Sequence, residues 1–172
     1  GLSGRTLQSA IPVDCPFGPN GYDYIVNEVG GALPIYVQGT NDYVFIALGV
    51  NDSFHTLATY TPANFITQGN AITEQLHNVK GFPYANIIWV NVYYINPSAY
   101  GAAIGICTIV NPNTLSNLDN YRAAITTIAN TYGCTVIDSD IGSTGVDGIH
   151  PDTTEHATIA ITKILPALIN LP

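Results

Sequence analysis

Three apolar runs with little polar alternation stand out along the chain: Tyr43-Val44-Phe45-Ile46-Ala47-Leu48, Ile87-Ile88-Trp89-Val90-Asn91-Val92-Tyr93 and the shorter Thr135-Val136-Ile137. Runs of this kind mark strands covered on both faces, as parallel sheets are. The first stops at Gly49 and the third follows Gly133. Between the runs the apolar spacing becomes helical. A helix is expected from Thr61 as N-cap, with Pro62 in its first turn, to Lys80-Gly81. A second spans roughly 117–132, with Leu118, Tyr121, Ile125 and Ile128 at helical spacing and Gly133 as its stop. A third opens at Asp152 or Thr153, carries Glu155 in its first turn, and is bent or ended by Pro166. Nearer the start, residues 14–21 are punctuated as loop by Pro16, Gly18, Pro19, Asn20 and Gly21, and residues 22–29 suit a short helix. Strands alternating with helices predict an α/β fold with a parallel sheet. With no repeat, low-complexity tract or linker, residues 1–172 read as one domain.

Charge narrows the partners. Only Arg5, Lys80, Arg122 and Lys163 are basic, and the formal net charge is −8. A 9% charged fraction is far below the roughly 25% of an average domain. Such a surface cannot neutralise a run of phosphates, which argues against nucleic acid and against an anionic membrane. Solubility instead rests on Thr, Asn, Ser and Tyr, a balance that suggests an extracellular or secreted setting. Cys15, Cys107 and Cys134 form no disulfide framework and read as small buried hydrophobes. None has metal-ligand spacing, so neither a metal nor a cofactor is expected.

Candidate chemistry concentrates in two stretches. Asp147-Gly148-Ile149-His150-Pro151-Asp152 sets an Asp three residues before a His, on a turn marked by Gly and Pro. Such an Asp can hold the imidazole in one tautomer and leave its other nitrogen free as a base. Gly49-Val50-Asn51-Asp52 follows the first apolar run, where an Asn side-chain amide can face a developing oxyanion. Asp52 reads as a brace for that loop, and Arg5 as a possible partner for it or a solvated surface cation. The sequon Asn51-Asp52-Ser53 reads as accidental if Asn51 faces a site. Residues 96–115, about twenty in number, exceed an ordinary strand-to-helix connection. Ile104, Ile106 and Ile109 within them are candidates for the wall or lid of an acyl pocket, since ligands of open α/β sheets bind at carboxyl ends of strands. A loop buried against another subunit is the alternative.

Gly-Val-Asn-Asp and Asp-Gly-Ile-His-Pro, together with Gly1-Leu2-Ser3-Gly4-Arg5-Thr6, resemble in order three of the four sequence blocks of the SGNH (GDSL-type) ester hydrolases, in their arylesterase and acyltransferase-like branch. The resemblance implies a three-layer, flavodoxin-like fold and Ser-His-Asp acyl transfer, with His150 as base and Asp147 as its orienting acid. It also implies an oxyanion hole from the Asn51 side chain and the Gly4 backbone N–H. The implied substrate is a small ester or acylated glycan. The Gly-Asp-Ser block is not found, and Ser3, Ser53 and Ser143 do not match the nucleophile position. The chain is therefore read as N-terminally incomplete, with the nucleophile and the first two strands upstream of Gly1. An N-terminal segment or second chain is expected to cover the apolar edge at Val44–Leu48. The alternative is a non-catalytic SGNH-like binding or structural module of a larger secreted or viral assembly.

Overall fold

In the computed structural model, which describes residues 7–8, 21–28, 31, 33–39, 41–54, 59–92, 114–142 and 150–171, the three apolar runs form a parallel sheet. Its strands are β1 (Val44–Ile46), β2 (Ile87–Asn91) and β3 (Thr135–Asp138), in the order β1-β2-β3. Register sets Ile46 beside Trp89, and Trp89 beside Val136. Around the strands lie α1 (Gly21–Ile25), α2 (Val50–Phe54), α3 (Pro62–Glu74), α4 (Thr114–Tyr132), α5 (Thr153–Ile159) and α6 (Leu165–Ile169). Gln75–Val79 and Ala160–Ile164 are π-helical, extending α3 and joining α5 to α6.

Local sequence explains the helix ends. The Thr61 hydroxyl accepts from the Asn64 backbone N–H at 3.1 Å, and Pro62 follows where a helix needs no N–H donor. Gly133 takes φ +70°, letting the Cys134 N–H return to the Ala129 carbonyl at 2.9 Å and close α4. Asp152 and Glu155 form a reciprocal capping box, with bonds of 2.9 and 2.8 Å. Of the two outcomes expected at Pro166, an end to the helix is excluded, because helical backbone runs on to Ile169. Pro166 falls in the first turn after the π segment, where the hydrogen-bond register restarts and its missing N–H costs little. The early helix is shorter than expected, ending at Ile25.

One face of the sheet carries Ile46, Ile87 and Trp89 against α3 and α4, which supply Phe65, Ile72, Leu118, Tyr121, Ile125 and Ile128. Trp89 is fully buried, and its indole N–H donates to the Thr73 hydroxyl at 3.3 Å. Ile88, Val90 and Ile137 point to the opposite face, where Ile159 is also buried and residues 160–164 approach β3. Each large apolar side chain fully buried in this way contributes about 1.5–3 kcal/mol.

The first apolar run was expected to be a strand covered on both faces, and here the structure differs. Ile46 is buried, whereas Phe45 is 41% exposed. β1 is an edge strand among the described residues, and α3 and α4 cover only the face bearing Val44 and Ile46. Phe45 points the other way.

The tightest approach in the core is at Gly69 on α3, where an added Cβ would stand 2.4 Å from Ile128 Cδ1 and 3.3 Å from the Trp89 ring. Gly69→Ala should therefore lower stability by about 1–3 kcal/mol despite alanine's better helix propensity. Ile128→Val deletes the offending methyl, so the double variant should lose less than the two single losses combined. Denaturant titration of the four proteins reads this, and strictly additive losses would contradict the packing account.

Candidate active site

Gly49 is the pivot between β1 and α2. Its φ is +122°, and a Cβ there would lie 3.2 Å from Val92 Cγ1 and 3.3 Å from Phe65 Cζ. Glycine alone meets both demands. The chain then turns at once into α2, putting Asn51, half-buried, just past the carboxyl end of β1. Two bonds fix this turn. The Ser53 hydroxyl donates to the Val50 carbonyl at 2.6 Å, and Asn117 Nδ2 donates to the Ser53 carbonyl at 2.8 Å, tying α2 to α4.

Asp52 braces the turn, as its sequence position suggested. Its carboxylate is wholly buried. Oδ2 accepts the Leu7 N–H at 2.8 Å, and Oδ1 accepts the Gln8 N–H at 3.1 Å and Gln8 Nε2 at 3.2 Å. Gln8 Nε2 also donates to the Tyr121 hydroxyl at 3.2 Å, carrying the network into α4. Tyr121 stands edge-on to Phe65, ring centroids 5.0 Å apart. Burial, and then the nearby Asp52 charge, push the Tyr121 phenol above its usual range. Gln8 carried no signal in the sequence and Tyr121 only that of an apolar helix position, since the Gln8–Asp52 and Gln8–Tyr121 bonds span 44 and 113 residues.

His150 is exposed and sits two residues before the Asp152 cap of α5, the helix that follows β3. Asp147, Gly4, Arg5, Ser3, Ser143, Ile104, Ile106 and Ile109 lie outside the described residues, so the expected Asp147–His150 bond and the pocket wall belong there too. Cys15 and Cys107 do likewise. Cys134 is core, as expected, and burial pushes its thiol up to about 11, which makes it unreactive.

A second fastening at the carboxyl ends of the strands was not anticipated. Arg122 Nη2 on α4 donates to both Asp138 oxygens at 2.9 Å, and Nη1 donates to the Val92 carbonyl. One guanidinium thus joins the ends of β2 and β3. Ser139, buried beside it, donates to the Asn91 carbonyl at 2.5 Å.

No protein-family profile matches the sequence, and no characterised relative is found by sequence alone. Solved structures do match. An aryl esterase of M. smegmatis superposes with a TM-score of 0.68 at 19% identity, covering 100% of this chain and 77% of that one. A carbohydrate acetylesterase from Sinorhizobium meliloti gives 0.65 at 21%, covering 92% and 71%. A GDSL-like lipase from Bacteroides thetaiotaomicron gives 0.54 at 16%, covering 74% and 62%. The chain has the SGNH (GDSL-type) hydrolase fold.

Burial raises the Asp52 carboxyl from 3.8 to about 6, outweighing the hydrogen bonds that lower it. Its folded value lies above its unfolded one, so its contribution to stability is full below pH 3.8 and is lost as pH rises through about 6. The loss should approach about 3 kcal/mol. Asp52→Asn should lower stability overall but flatten its fall between about pH 4 and 7. Chemical denaturation across that range checks this, and parallel curves for the two proteins would rule it out.

Proposed function

We propose that this chain acts as a carboxylic ester hydrolase by SGNH-type Ser-His-Asp acyl transfer. The observation that carries the reading is the position of Asn51. The most distinctive oxyanion candidate of the sequence stands in the helix that follows the first strand of a fold shared with esterases.

In the proposed reaction His150 accepts the proton of a serine hydroxyl as its oxygen attacks the ester carbonyl. Asp147 fixes the imidazole tautomer and stabilises the imidazolium. The oxyanion of the tetrahedral intermediate is held by the Asn51 side-chain amide and the Gly4 N–H. The intermediate collapses, His150 returns the proton to the departing alcohol, and water repeats the sequence on the acyl-enzyme to release the acid and restore the serine. Ile104, Ile106 and Ile109 would wall the acyl group. The chemistry as written calls on no cofactor. Names of the matched structures favour a small acyl group on an aryl or carbohydrate alcohol.

In this proposal the nucleophilic serine lies upstream of Gly1, as the resemblance implies. Ser53 and Ser139 are buried and already donate to backbone carbonyls, which suits neither for attack. The outer side of β1, beside exposed Phe45, is where such a segment would pair and cover the edge.

In the complete protein, His150→Ala should reduce ester hydrolysis by several orders of magnitude, as loss of a triad base does. Asn51→Ala should cost about 10²–10³ in kcat, the usual cost of an oxyanion donor. Steady-state hydrolysis of p-nitrophenyl acetate reads both, and unchanged turnover in either would remove that residue from the mechanism. A fluorophosphonate probe followed by peptide mapping should label a serine outside residues 1–172. Absence of labelling and of turnover would favour a non-catalytic binding or structural module.

A further inference from the structure

The Asp52 carboxylate joins parts of the chain that the proposed mechanism needs in register. It sits one residue after Asn51, in the same turn of α2. Its two oxygens receive the N–H groups of Leu7 and Gln8, which follow Gly4 by three and four residues. The turn that carries Asn51 is therefore fastened to residues 7–8 through one side chain. The third bond to Asp52 comes from Gln8 Nε2, which also reaches Tyr121 on α4, and Asn117 on the same helix holds the Ser53 carbonyl of the turn. Leu7 is anchored from its other side as well, its carbonyl accepting the Tyr22 N–H at 2.9 Å. Asp52, Leu7, Gln8 and Tyr121 are all at most 1% exposed, so water does not compete for these bonds.

The arrangement is expensive for folding alone. A buried carboxylate costs several kcal/mol of desolvation, and an apolar contact of the same size would hold two segments together more cheaply. What a carboxylate adds is direction. Two oxygens at fixed spacing accept two consecutive backbone N–H groups and set the register of residues 7–8 on the turn to a fraction of an ångström. Oxyanion stabilisation needs that precision, because donors must lie at hydrogen-bond distance from an oxygen that exists only in the transition state.

We propose that Asp52 is a positioning residue for the oxyanion donor Asn51: it locks the turn that carries Asn51 onto residues 7–8, so that the Asn51 amide is held in one place. Gln8 and Tyr121 hold the lock closed. The inference rests on the assignment of Asn51 under the proposed function.

The test uses the complete protein, with p-nitrophenyl acetate as substrate and hydrogen exchange at the Leu7 and Gln8 amides. Asp52→Asn should lower kcat by about 10–10³-fold with KM within about threefold, because the lock serves the transition state and not ground-state binding. Both amides should exchange at least about tenfold faster, as a lost local constraint requires. If Asp52→Asn folds poorly, Gln8→Leu takes its place. That variant keeps the size of the side chain and both backbone bonds, and should lower kcat by a smaller factor with KM again unchanged. Turnover per folded molecule equal to wild type in both variants overturns the positioning role and leaves the hydrolase reading intact. So does a loss confined to KM. A wild-type protein that hydrolyses no ester overturns the hydrolase reading itself, and the positioning role with it.

Discussion

Parallel pairing is the constraint from which the rest of the molecule follows. Strands that run the same way cannot be joined by a hairpin, so the chain must return across the sheet after each one. Every connection that leaves β1, β2 and β3 therefore starts at the same edge. Asn51 follows β1, the Arg122–Asp138 pair ties the ends of β2 and β3, and His150 lies on the route from β3 to α5. Residues a hundred positions apart share an edge because of strand direction, before any side-chain contact is considered. The helices then need only cover the faces, and the hydrogen-bonded pairing of the strands fixes how far apart their ends stand.

At that edge two kinds of electrostatic fastening coexist, and burial separates them. In the Arg122–Asp138 pair one guanidinium nitrogen meets both carboxylate oxygens, but half of the Asp138 side chain faces solvent (53%), so its value to stability is of the modest order of surface pairs. Its use is geometric, since the same guanidinium also binds the Val92 carbonyl at the end of β2. Asp52 is the opposite case. Among the described residues it has no cationic partner, and three N–H donors only partly offset its desolvation, so its carboxyl is pushed up to about 6. A group of that kind is mostly ionised at neutral pH yet close to protonation, and it orders two segments at a cost in stability.

The parts of the fold legible in the sequence are those with a local cause. Thr61-Pro62, Gly133 and Asp152 with Glu155 each act within a few residues, and each marks a helix end where it was expected. The parallel strands were legible from unbroken apolar runs. What could not be read depends on neighbours. Phe45 and Ile46 are equally apolar in the sequence, and only the placement of α3 and α4 decides which is covered. Whether Pro166 would bend or end its helix stayed open, because a π segment before it is invisible to a count of apolar spacing. The bracing role of Asp52 was legible from its position after Asn51, but its partners were not. For the site, Asn51 and His150 now have positions, whereas Gly4, Asp147 and the three isoleucines lie outside the described residues and rest on the sequence alone.

The spacing of Gly49-Val50-Asn51-Asp52 has a physical reading of its own. Gly49 must lead, because the backbone turns there through φ +122° with Val92 and Phe65 closing the space for a side chain. Val50 lends its carbonyl to the Ser53 hydroxyl, which closes the first turn of α2. Successive residues of a helix point about 100° apart. Asp52 is turned fully into the protein, and its neighbour Asn51 is left half-buried beside the carboxyl end of β1. An Asp one position earlier would leave the buried N–H groups of Leu7 and Gln8 without their acceptor. An Asn one position later would be turned fully into the protein, as Asp52 is. The order Asn then Asp is thus what a helical turn requires when one side chain must face outward and the next must hold the structure from within.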